Sequence, residues 1–175
     1  MTSNTLTAEI FSVGTWNGDT YTAADLREIA GNFARLRDEI RPPLKFGHDA
    51  GQTLTGQSDG DPALGWVSAL WVDDDKLMAT FTDVPAVVVE AVRAGRYRNV
   101  SAEVWHKLRH GDQTLTHVLK AVALLGADLP AVTNLRDLTA YLTRDDAWQA
   151  ERVLTFTGPL HAAFTLEEHS MTDTP

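Results

Sequence analysis

Apolar and polar positions alternate over residues 65–72 (GWVSALWV), 76–82 (KLMATFT) and 99–108 (NVSAEVWHKL), and with the apolar-rich stretches 6–13 (LTAEIFSV), 44–48 (LKFGH) and 115–125 (LTHVLKAVALL) these predict six strands. Period 3.6 takes over between them. Leu26, Ile29, Ala30, Phe33 and Leu36 recur at helical spacing behind Thr22, an N-cap whose capping box is completed by Asp25. Arg41-Pro42-Pro43 stops this helix, because a residue before proline is driven out of the α region. A shorter helix over Ala86–Ala94 is expected, with Asp83 as cap, Pro85 in its first turn and Gly95 at its end. Leu135, Leu138, Tyr141 and Leu142 predict a last helix over 134–149.

The connections decide the fold class. Asn17-Gly18-Asp19, Asp73-Asp74-Asp75 and His110-Gly111-Asp112-Gln113 are too short for a parallel crossover, so the expectation is α+β with a mostly antiparallel sheet. Residues 50–61 (AGQTLTGQSDGD) read as a mobile loop, residues 1–150 as one domain and 151–175 as a partly ordered tail. A length of 175 residues suits a single core.

Charge then narrows the partners. With 15 Lys+Arg against 24 Asp+Glu the chain carries −9, too few cations for a nucleic-acid-binding face. There is no cysteine, which removes disulfides, thiolate metal cages and cysteine nucleophiles and fits a reducing cytoplasm. No run of 18 apolar residues and no basic, apolar leader is present, so no membrane partner is expected.

His48 ends a strand and opens the glycine-rich loop, a place where an imidazole can meet a substrate. Ser101 shares a strand face with Glu103 and Trp105, opposite Val100, Ala102, Val104 and Leu108, and so points away from the core side. Three residues could orient the imidazole. Asp128 follows a strand end, Glu103 falls opposite Lys120 if the hairpin turns at Gly111-Asp112, and His117 falls opposite His106 in that register, facing away from Ser101. Zinc is disfavoured: His106 and His110, four apart, lie in a strand pattern without an HExxH motif, and the acidic runs 59–61 and 73–75 lack EF-hand spacing. G-x-S-x-G, P-loop and dinucleotide motifs are absent.

Taken in order, EIFSVGTWNGDTYTAADLREIAGNF, PPLKFGHD, LGWVSALWVDDDKLMATF, VRAGRYRNVSAEVW and LKAVALLGADLPAV resemble the Mu-like phage I protein family over roughly residues 8–142. That family comprises capsid maturation proteases of tailed phages and is similar to herpesvirus assemblin. The resemblance implies a barrel-like sheet surrounded by helices and a serine endopeptidase needing no cofactor and no metal. It implies His48 and Ser101 as catalytic residues and Asp128 as the third, with His117 second choice and Arg96 or Arg98 near the oxyanion. Scaffold protein, major capsid protein and the chain itself would be substrates, inside the assembling procapsid in the host cytoplasm. A homo-oligomer is expected, since such an enzyme must stay quiet until assembly concentrates it. Leu160-His161-Ala162-Ala163 is a candidate self-cleavage stretch, and the resemblance implies acidic scaffold sequence that is either trimmed from the protease domain or carried by a separate protein. The competing expectation is a non-catalytic assembly module of the same fold.

Overall fold

The computed structural model describes residues 4–48 and 62–142. In chain order these form β1 (Asn4–Ser12), β2 (Gly14–Trp16), β3 (Asp19–Tyr21), α1 (Ala23–Leu36), β4 (Leu44–Phe46), β5 (Trp66–Asp73), β6 (Lys76–Val84), α2 (Ala86–Arg93), β7 (Asn99–His110), β8 (Gln113–Leu125) and a 3-10 helix (Leu138–Tyr141). The class is α+β with mostly antiparallel sheets, as the short connections required. Two three-stranded sheets, β1-β6-β5 and β4-β8-β7, accompany the small β2-β3 hairpin. A bridge between Pro43 and Trp66 joins the two larger sheets, and β7 lies beside β1. Among the described residues no closed barrel is found.

Thr22 caps α1 as its sequence demands: the Asp25 N–H donates to Thr22 Oγ1, and the Thr22 N–H donates to Asp25 Oδ2 at 2.6 Å. The buried stripe of α1, Leu26, Ile29, Phe33 and Leu36, packs on β8 and β5. Leu26, Ile29 and Phe33 join Ile10, Leu77, Phe81 and Val122 in a core reaching from β1 to β8, while Leu36 packs with Leu115 and Val118 in a smaller cluster.

Three expectations are revised. The turn over 14–19 is itself a hairpin, with Asn17 and Gly18 at positive φ between β2 and β3. Asp83 does not cap α2, because pairing of Val84 with Asn4 carries β6 through it; Pro85 takes the cap position without a side-chain bond. The helix expected over 134–149 is a single 3-10 turn within the described residues. There Asp137 accepts from the Thr139 N–H, and the Arg98 carbonyl takes the Leu138 N–H. The mostly antiparallel expectation stands, with β4 pairing β8 in parallel as the exception among the described strands. The expected loop over 50–61, the tail over 151–175 and residues 160–163 lie outside the described residues.

Candidate active site

β7 and β8 form the longest hairpin, and its register places the candidate serine. From His110 opposite Gln113 back to Val104 opposite Leu119 the pairing is the one a turn at Gly111-Asp112 dictates. Lys120 is then an extra residue, so that Glu103 faces Ala121 and Ser101 faces Ala123. On the far side of β8, Lys45 of β4 also pairs with Ala123. Lys45, Ala123 and Ser101 therefore form one row across three strands, all on the face that Glu103 shares at two residues from Ser101.

Gly47 brings the histidine to this face. Its N–H donates to the Leu124 carbonyl at 3.0 Å, extending β4 by one rung, and its φ of +57 then turns the chain in a way that costs glycine little. His48 follows with a side chain 44% exposed, and its Nδ1 lies 2.9 Å from Glu103 Oε1. The same carboxylate takes Lys45 Nζ at 2.6 Å on Oε1 and Lys120 Nζ at 3.2 Å on Oε2. Burial pushes the Glu103 carboxyl up, but the hydrogen bonds from Lys45, His48 and Lys120 together outweigh it and hold the group at about 2. Glu103 is thus an anion throughout the neutral range.

With Nδ1 given to the carboxylate, the Nε2 of His48 is the nitrogen left to accept a proton. That is the polarity a serine–histidine–acid relay needs. Ser101 Oγ has no hydrogen-bond partner among the described residues, His48 included, so its hydroxyl is uncommitted. Ser101 and Glu103 stand two positions apart on one face of β7, about 6.6 Å between Cα atoms.

The structure brings Glu103, not Asp128, to His48. Asp128 sits in the exposed bend after β8 and makes no hydrogen bond or ion pair among the described residues. Straight continuation of β4 along its parallel partner would approach that bend; the left-handed turn at Gly47 sends His48 back to β7. His117 goes elsewhere, to Glu28 and Asp25 of α1. Arg98 is engaged by Asp137, its Nε 3.0 Å from Oδ2, while the Arg96 N–H is used by the Ala91 carbonyl.

No family model and no curated protein matches the chain. The geometry must therefore speak for itself. The signal for Glu103 lies in the sequence as Ser101-Ala102-Glu103, two polar residues on one strand face. A cross-strand bond to Lys120 accounts for the glutamate there, and that bond exists. What the sequence does not display is that one carboxylate serves Lys120, Lys45 and His48 at once. Among the described residues no helix is long and apolar enough to cross a membrane.

Proposed function

We propose that this protein is a serine endopeptidase in which Ser101 is the nucleophile, His48 the general base and acid, and Glu103 the residue that orients the imidazole. The observation that carries the reading is the bond from His48 Nδ1 to Glu103 Oε1 on the strand face that also bears Ser101. Ser101 Oγ attacks a peptide carbonyl as His48 Nε2 takes its proton; His48 then returns the proton to the leaving amine. Glu103 keeps the hydrogen on Nδ1 and stabilises the imidazolium that forms in between. Closing the distance between His48 and Ser101 accompanies substrate binding, since catalytic hydrogen bonds commonly tighten only in the complex.

The finer fold reading is supported by the run of strands β1-β6-β5, the Pro43–Trp66 bridge, β4-β8-β7 and the return of β7 to β1, an arrangement one step from a barrel. Together with the resemblance to phage capsid maturation proteases, this makes scaffold protein, major capsid protein and the chain itself the substrates, acted on within an assembling shell. The third catalytic position belongs to Glu103 in this proposal and not to Asp128.

A second reading has its own observation. Glu103 is already neutralised by two lysines, which a purely structural ion pair would also explain, and the fold would then serve a non-catalytic assembly module. A fluorophosphonate probe separates the two. The peptidase reading expects covalent labelling of the wild type at Ser101, mapped by peptide mass, and none in Ser101→Ala. Scaffold protein co-expressed with the wild type is expected to be cut, and co-expressed with Ser101→Ala to stay whole. Absence of both labelling and cleavage in the folded wild type would leave the assembly module standing.

A further inference from the structure

A second histidine–carboxylate group occupies the place where the first turns of α1 meet the β7–β8 hairpin. Asp25 and Glu28 are three residues apart, so their side chains share a face of the helix. His117 reaches that face from β8. Its backbone φ is +52, a region that a residue with a Cβ enters only where its surroundings hold it there. His117 Nδ1 lies 2.8 Å from Glu28 Oε2 and 3.7 Å from Asp25 Oδ1.

The two carboxylates are anchored in the same fashion. Thr22 donates from its N–H and its hydroxyl to Asp25 Oδ2, and Thr116 donates its hydroxyl to Glu28 Oε1. Each acid therefore has one oxygen fixed by a threonine and turns the other toward His117. Both are held below the usual carboxylate range, Asp25 chiefly by the Thr22 hydroxyl and Glu28 chiefly by the Thr116 hydroxyl. The imidazole is packed in turn against the rings of Tyr21, at 5.9 Å, and His106, at 6.2 Å between centroids.

Charge sets this group apart from the one around Glu103. Two lysines neutralise Glu103, whereas among the described residues no lysine or arginine pairs with Asp25, with Glu28 or with nearby Asp19, which has only His106 at 3.6 Å. The result is an imidazole nitrogen and two carboxylate oxygens converging within 4.8 Å of one another, with no fixed cation to balance them.

We infer that Asp25, Glu28 and His117 form a binding site for a divalent first-row transition metal ion of the zinc type. One nitrogen and two oxygens suit that class, while magnesium and calcium favour oxygen alone. Donors of such an ion stand about 2.0–2.2 Å from it, hence at most about 4.4 Å apart, so a small rotation of either partly exposed carboxylate completes the set. His117 Nδ1 gives up its hydrogen bond to Glu28 and binds as the neutral Nε2–H tautomer. The threonines play the supporting role that orients metal-ligating carboxylates. The ion ties α1 to β8. The inference is independent of the peptidase reading, since neither His48 nor Ser101 takes part.

The test uses the full-length chain, stripped with a chelator and titrated with Zn²⁺ by calorimetry. One ion per chain is expected at this site, with a higher melting temperature in Zn²⁺ than in chelator. Glu28→Gln and His117→Gln should each weaken binding about tenfold or more, because loss of a ligand costs at least as much as loss of its outer partner. His110→Gln, which removes a histidine paired with Glu39 elsewhere, should bind as the wild type does. Should His117→Gln fail to fold, Glu28→Gln at a partly exposed helix position still decides. Unchanged Zn²⁺ affinity in folded Glu28→Gln, or no saturable binding by the wild type, overturns the proposal.

Discussion

Replacing Glu103 by glutamine keeps the size of the side chain and removes the charge that three cationic or protonatable groups converge on. The ionised form of Glu103 is favoured in the folded chain to the extent of a carboxyl lowered from 4.5 to about 2, a ceiling of about 3 kcal/mol. Water reaches this carboxylate and screens its partners, Lys120 above all, which is half exposed; a folding loss of about 1–2 kcal/mol is the expected outcome. Turnover should fall much further. Without the anion the Nδ1 hydrogen is no longer specified and the imidazolium loses its counter-charge, so kcat should drop by about 10²–10⁴. Urea unfolding measures the first quantity, and the rate of fluorophosphonate labelling of Ser101, at a temperature where wild type and variant are both folded, measures the second. Only the orienting role separates them. A folded Glu103→Gln labelled within about threefold of the wild-type rate, a difference of less than 1 kcal/mol in barrier, would refute the assignment and leave Glu103 as a structural ion pair.

Three other outcomes are expected. Thr22→Ala removes the capping box of α1 and should lower stability by about 1 kcal/mol in urea unfolding, with the helix retained by circular dichroism. Gly65→Ala should cost about 2–3 kcal/mol, since φ is +130 and an added Cβ would stand 2.7 Å from the Thr82 carbonyl oxygen; a stability equal to wild type would mean that the backbone there is not held as described. Acid should unfold the chain by a predictable route: Asp25, Glu28, Glu103 and Asp137 all have lowered carboxyls in the folded state, so their contribution is present above the ordinary carboxylate range and is lost as pH falls. Stability should be level from neutral to about pH 5 and then decline toward pH 2, with the lowest part of that decline missing in Glu103→Gln.

The sequence by itself determined most of the longer elements and the two hairpin pairings, β5 with β6 and β7 with β8. Apolar-rich stretches between turn residues, alternating in three of them, marked six of the strands, Thr22 and Asp25 marked the start of α1, and the turn at Gly111-Asp112 specified the β7–β8 register from His110 to Val104. These are local matters, decided by side-chain alternation, capping and turn chemistry among residues near one another in the chain. His48 and Ser101 were legible as candidates for the same reason, one at a strand end, the other on a polar strand face.

Only the tertiary structure decided what His48 meets. That depends on β4 lying parallel beside β8, on the left-handed turn at Gly47, and on Lys120 standing as an extra residue, which together bring β4, β7 and β8 to one carboxylate. The expected partner Asp128 lost to Glu103 because contact between distant segments follows strand order and direction, which no short-range pattern encodes. The helix expected near the end of the described chain failed on the same ground: Asp137 bonds to Thr139 and Arg98 engages that turn, giving its backbone another way to satisfy its polar groups. His117 was correctly expected beside His106 across the hairpin, yet its meeting with Asp25 and Glu28 required α1 to pack on β8, and that packing is a property of the assembled core.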